Sequence, residues 1–223
     1  MTWNPWVDLS HPISEQTPPF PGDPAVEIVV LDQTDEFEDL PRRNFNVGRI
    51  AMCLHCGTHM DAPYHFFGNG KTIDQIDLEH CCGPAYLLDL RAELKPLSGS
   101  IITAEMLQQT ELETLRPQKV LFRTGWEHRW LQEDYFTQHP VFSREGARYL
   151  VDLGVHLIGV DFPSVDQRPN EAHREILGRG TLIVENLTQM EKLPAGWIEF
   201  AATPLAIQGR DGSPVRAIAR VPT

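Results

Sequence analysis

Basic residues are scarce in this chain: 19 Lys and Arg stand against 31 Asp and Glu, for a formal charge of −12. That balance argues against nucleic acid and anionic membrane as partners. It does not select a substrate, and bound metal can neutralise some of the carboxylates. Long apolar runs are missing too, and none approaches the ~18 residues that a membrane helix needs. The opening residues, Met-Thr-Trp-Asn-Pro-Trp, lack a basic segment leading into an apolar one, so no signal peptide is expected and the cytoplasm is the expected compartment. Cysteine is limited to four residues, Cys53, Cys56, Cys81 and Cys82. Cys53-x-x-Cys56 has redox spacing, yet on a strand the two point to opposite faces, and Cys81-Cys82 are poorly placed for an ordinary disulfide. All four are expected to be reduced packing residues. With no repeat, linker or low-complexity run, 223 residues at 41% apolar content are expected to form a single domain, residues 1–223.

What is present is a dense cluster of metal-type donors. His55-Cys-Gly-Thr-His59-Met-Asp61-Ala-Pro-Tyr-His65 holds three histidines and an aspartate within eleven residues. Imidazole and carboxylate suit a divalent ion such as zinc or manganese. All four side chains occupy odd positions, so an extended chain turns them to one face. Ile50, Met52, Leu54 and Cys56 alternate with them, which reads as a half-buried strand. On a straight strand, however, His55 and His59 are ~13 Å apart, too far for one ion. Gly57 is the natural bend between them, and Pro63 ends the ladder. Gly57 and Pro63 also oppose a helical His-x-x-x-His site. The alternative is a polar strand end whose histidines hydrogen-bond one another.

Elsewhere, strand-like and helix-like segments alternate irregularly. Strands are expected at Trp6–Leu9, Val26–Leu31, Asn46–Cys56, Pro84–Leu90, Lys119–Arg123, Val155–Asp161, Thr181–Glu185, Ile198–Ile207 and Pro214–Val221. Asp32–Arg43 is acidic and expected to be exposed. Helices are expected over Ala104–Leu115 after Thr103, over Arg144–Leu153 capped by Ser143, and in a short segment ending at Leu177 and capped by Asn170. The pattern is a mixed α/β class with a substantial β component. His173 falls on the last helix. Glu185 ends the apolar run Leu182-Ile183-Val184-Glu185, where a carboxylate either faces water at a strand end or is buried against a counter-charge such as a metal.

Gly-Thr-His-Met-Asp-Ala-Pro-Tyr-His resembles the motif of the metal-dependent cyclase-family hydrolases, which include bacterial kynurenine formamidases and isatin hydrolases. Supporting stretches run nearly end to end: Asp8-Leu-Ser-His-Pro12, Pro21-Gly-Asp-Pro24, Gly159-Val-Asp161, Pro163-Ser-Val-Asp166, Ala172-His173, Glu185-Asn-Leu187 and Asp211-Gly-Ser-Pro-Val-Arg216. The resemblance implies a compact swivelling β/β/α fold with a mixed sheet and few helices, commonly dimeric. It implies that His55, His59 and Asp61 hold one divalent metal, zinc first and manganese second. Asp61 then bridges to a second ion held by His173 and Glu185. His65 matches the family's catalytic acid/base, and Phe20 stands where an aromatic lines the substrate pocket.

The implied chemistry is hydrolysis of an amide-type carbonyl in a small molecule, with N-formylkynurenine giving kynurenine and formate. Cys56, the segment Phe66–Gly70 leading toward Cys81-Cys82, and Phe20 in place of tryptophan depart from the formamidase pattern. Three other readings stay open: a sibling hydrolase of a cyclic amide, imide or lactone, a non-catalytic metal-stabilised binding protein, and a thiol redox protein using Cys53 and Cys56.

Overall fold

The computed structural model describes residues 3–32, 45–95 and 97–222. Its strands are β1 (Val7–Asp8), β2 (Glu27–Asp32), β3 (Val47–Ala51), β4 (His59–Asp61), β5 (Cys82–Asp89), β6 (Ile101–Ile102) and β7 (Lys119–Arg123). They continue with β8 (Val141–Phe142), β9 (Leu157–Val160), β10 (Leu182–Glu185), β11 (Gly196–Ala201), β12 (Gly212–Pro214) and β13 (Ile218–Arg220). The α-helices are α1 (Ala104–Gln108), α2 (Leu112–Leu115), α3 (Arg144–Asp152) and α4 (Glu171–Leu177).

Nine strands form one sheet in the order β1-β13-β11-β5-β7-β9-β10-β4-β12. The inner strands β5, β7, β9 and β10 run parallel, and both flanks are antiparallel. Strands β7, β9 and β10 are buried along their whole length, as parallel strands covered on both faces must be. Period-two alternation then divides the core. Val120, Phe122, Ile158, Val160 and Ile183 pack under the helices with Leu107, Leu150 and Ile176. Leu121, Leu157, Leu182 and Val184 pack on the opposite face with Met60, Ile198 and Phe200. This is the mixed-sheet α/β class with few helices that the sequence implies. No described helix is long and apolar enough to cross a membrane.

The structure corrects several expectations. The strand expected at Asn46–Cys56 stops at Ala51, and β3 pairs only with β2, outside the main sheet. It is largely exposed rather than half-buried, with Ile50 at 50%. His55 and Cys56 lie in the following turn, and His59 begins a separate strand, β4. The helix expected at Ala104–Leu115 splits in two. The Thr110 hydroxyl donates to the Leu107 carbonyl at 2.6 Å and accepts from the Leu112 amide at 3.4 Å, drawing the backbone out of the helical pattern. Ser143 caps α3 through the Gly146 amide as expected. Asn170 does not cap α4: it sits at φ +65° and turns its amide to Asp166. The late segments Ile198–Ile207 and Pro214–Val221 shorten to β11 and β13, and β12 is an additional edge strand. From residue 33 on, the acidic segment Asp32–Arg43 lies outside the described residues.

Candidate metal centre and active site

The site gathers where β10 ends. β4 runs antiparallel to β10, pairing Glu185 with His59 and Ile183 with Asp61. Residues two apart on a strand share a face, so His59 and Asp61 project together beside Glu185, while Met60 enters the core behind. Gly57, at φ +66°, makes the turn that brings His55 back over this strand. Pro63 opens the short 3-10 turn Pro63–His65, which carries His65 to the rim. His173 arrives from α4. The location agrees with the general placement of sites at the carboxyl ends of parallel strands.

His59, Asp61, His173 and Glu185 are each at most 4% exposed. The Nδ1 atoms of both histidines are already engaged. His59 Nδ1 donates to the Gly57 carbonyl at 2.9 Å, and His173 Nδ1 lies 2.6 Å from Asp166. Their Nε2 atoms therefore face the same two carboxylates. His59 Nε2 is 3.4 Å from Asp61 and 3.4 Å from Glu185. His173 Nε2 is 3.8 Å from Asp61 and 3.5 Å from Glu185. A charge-assisted hydrogen bond would close to ~2.8 Å. His59 faces Asp61 Oδ1 and Glu185 Oε2 while His173 faces Asp61 Oδ2 and Glu185 Oε1, so the two carboxylates bridge the imidazoles at spacings wider than such a bond and near those of neighbouring ligands on an ion with bonds of ~2.1 Å. The donor set thus fits a divalent metal, and two buried carboxylates give that ion its counter-charge.

The carboxylates favour positive charge at these nitrogens, whether from protons or from a metal. Burial alone lowers His59, but Asp61 and Glu185 outweigh it and hold the imidazole up at about 10. Burial lowers His173 as well, and Asp166, Asp61 and Glu185 override it. Burial and Asp61 push Glu185 upward, while His173 and His59 hold it below the usual range. Basic imidazoles among carboxylates are strong seats for a cation, and protons and metal compete for the same lone pairs.

His55 is held differently. Its Nδ1 lies 2.7 Å from Asp61 and its Nε2 lies 2.6 Å from Asp211, so carboxylates occupy both ring nitrogens. His55, His59 and Asp61 still offer donor atoms within 4.8 Å of one another, as do Asp61, His65 and His173. His65 packs on His55 with ring centroids 4.0 Å apart, and its Nδ1 is 3.4 Å from Asp211. Burial keeps its pKa below the ordinary value, so it is neutral at pH 7.

Above this floor lies a cavity of about 520 Å³ that also receives Phe20, Phe136, His139 and Arg168. Phe20 meets Phe136 edge-on at 5.7 Å, giving the cavity an aromatic wall. All the residues singled out in the sequence, His55, His59, Asp61, His65, His173, Glu185 and Phe20, line this one cavity. Sequence reasoning gave no role to Asp166 and Asp211, which brace His173 and His55. Both lie within quoted motif stretches, and only the folded contacts reveal their partners. Cys53 lines the cavity too, but all four cysteines are free thiols, and burial raises Cys53 and pushes Cys56 up to about 11. Such thiols are poor nucleophiles, which removes support from the redox reading.

Fold and donor set together define a divalent-metal protein of the α/β class, with its centre at the strand ends. The chain belongs to the cyclase family, whose model, described as "Putative cyclase", matches residues 7–167. It is similar to the kynurenine formamidase of Bacillus cytotoxicus, 34% identical over 96% of this chain and 97% of that one. The kynurenine formamidase of Geobacillus thermodenitrificans is 35% identical, covering 97% of this chain and 98% of its own. Among solved structures, an isatin hydrolase bound to the product analogue thioisatinate superposes with a TM-score of 0.85 at 25% identity, covering 98% of this chain and 92% of that one.

Proposed function

We propose that this chain is a metal-dependent hydrolase of an amide-type carbonyl, with N-formylkynurenine as substrate and kynurenine and formate as products. The observation that carries the reading is the buried quartet His59, Asp61, His173 and Glu185, whose facing nitrogen and carboxylate oxygen atoms stand 3.4–3.8 Å apart beneath His65. Similarity to two formamidases along nearly the whole chain supports the substrate.

The quartet is proposed to hold the ion, with His55 as a further donor through Asp61 or directly. Zinc is the proposed metal and manganese the alternative. A divalent metal supplies Lewis-acid polarisation of the carbonyl and acidifies water near neutral pH. This chain's residues do the rest. His65, neutral and at the rim, accepts a proton from the attacking water and returns it to the leaving nitrogen. Asp211 steadies His65 at Nδ1 and His55 at Nε2. Phe20 and Phe136 pack against the aryl ring, placing the carbonyl over the floor. Protein of one domain over residues 1–223, cytoplasmic and homodimeric, completes the proposal. Four free thiols support a reducing compartment, and the exposed apolar side of β2 and β3, with Ile28, Val30 and Ile50, supports self-association.

Likeness to the isatin hydrolase favours one second reading, ring opening of a cyclic amide in the same cavity. Steady-state hydrolysis of N-formylkynurenine and of isatin, with zinc- or manganese-loaded protein and a chelated control, separates the two. Chelator-sensitive formate release with a kcat/KM at least tenfold above that for isatin is expected. Preference for isatin would move the assignment to the sibling reaction. Turnover of neither substrate would contradict both.

A further inference from the structure

The cavity is lined by acids. Asp23, Asp61, Asp166, Glu185 and Asp211 all reach it, and Arg168 is the one Lys or Arg among the described residues that does. Arg168 is exposed and enters no ion pair or hydrogen bond among the described residues. Neighbouring arginines do find partners: Arg144 pairs with Glu175, Arg179 with Asp152, and Arg174 lies over the Phe66 ring. Arg168 follows Asp166 by two residues, so the loop that braces His173 also sets this guanidinium at the mouth.

At the floor Asp61 and Glu185 are spent on the proposed ion, Asp166 on His173 and Asp211 on His55, so away from that centre Arg168 is the one guanidinium or ammonium among the described residues that a ligand carboxylate meets. A guanidinium also offers a planar fork that matches a carboxylate in bidentate fashion. We propose that Arg168 is a specificity-determining residue that receives a carboxylate on the substrate, so that the site prefers aryl amides whose side chain carries a carboxylate over those without one. The proposal rests on the amide-hydrolase reading above. It deepens that reading by naming a functional group, a carboxylate, at the substrate's remote end. N-Formylkynurenine meets the requirement, because its α-carboxylate ends a side chain distant from the formamide. Discrimination then arises from the paired hydrogen bonds at Arg168, which a substrate lacking the carboxylate leaves unmade.

The test compares N-formylkynurenine with formanilide, an aryl formamide without a carboxylate, in wild-type protein, Arg168→Ala and Arg168→Lys. The ratio of their kcat/KM values is expected to fall about 10- to 100-fold in Arg168→Ala, with the loss in KM, and by less in Arg168→Lys. An unchanged ratio would overturn the proposal. Calorimetry supplies a readout independent of turnover. L-Kynurenine is expected to bind wild-type protein at least tenfold more tightly than Arg168→Ala, while 2-aminoacetophenone, which lacks the carboxylate, binds both alike. If wild-type protein hydrolyses neither formamide, the formamidase reading fails, and the calorimetry still decides the role of Arg168: loss of kynurenine binding in Arg168→Ala supports it, and equal binding refutes it.

Discussion

At the scale of single residues, the account depends on which nitrogen of each histidine is free. His59 and His173 spend Nδ1 on Gly57 and Asp166 and keep Nε2 for the ion. Asp166→Asn keeps the shape but loses the carboxylate that fixes the His173 tautomer. Metal affinity is expected to weaken about 10- to 100-fold, read by competition with a chromogenic chelator. Unchanged affinity would show that Asp166 does not orient a ligand. His65 has the converse signature. His65→Ala is expected to keep its metal content and lose about 10²- to 10⁴-fold in kcat. Loss of metal together with turnover would instead make His65 a ligand.

At the scale of elements, the site depends on two chain segments approaching closely. A Cβ on Gly212 would stand 2.7 Å from His55 Cε1 and 2.9 Å from the Met60 carbonyl, so β12 can lie against β4 only with glycine there. Gly212→Ala is expected to displace His55 and cut kcat/KM at least tenfold, with the denaturation midpoint moving by only a few degrees. Full activity would mean that the His55–Asp211 contact is dispensable. The parallel core strands were legible in the sequence because each is a short apolar run between turn residues. Donor identity was legible too, because histidine and aspartate are rare together at such density. The path of the chain through the motif was not. The bend at Gly57 was legible and is present, but alternation from Ile50 to Cys56 suggests a strand reaching the motif, whereas β3 ends at Ala51 and His59 and Asp61 pair with β10. Asp166 and Asp211 were invisible as partners because their contacts span 7 and 156 residues, a matter of tertiary packing rather than pattern.

At the scale of the whole molecule, stability is tied to pH through a residue that does not line the cavity. His11 stacks on Trp130 with ring centroids 3.9 Å apart and leaves a buried Nε2 without a partner. Burial lowers its pKa to about 4. Between pH 6.5 and 4 the unfolded chain therefore binds more protons than the folded one, so the His11 contribution is complete above 6.5 and is lost as pH falls toward 4. His11→Gln has no such titration. Its stability gap to wild type, measured by urea denaturation, is expected to change by about 2 kcal/mol between pH 7 and pH 4.5 in the direction that disfavours wild type at acid pH, allowing for the partial exposure of the ring. A gap independent of pH would place the protonated imidazole in water in the folded state.

The central claim is that the facing atoms of His59, Asp61, His173 and Glu185 surround a divalent ion. Anomalous diffraction from crystals grown with zinc or manganese, recorded on either side of the metal edge, tests it most directly. The account predicts an anomalous peak within ~2.3 Å of His59 Nε2, His173 Nε2 and an oxygen of each carboxylate. A metal peak only elsewhere, with His59 and His173 hydrogen-bonded to Asp61 and Glu185 at ~2.8 Å, would contradict it.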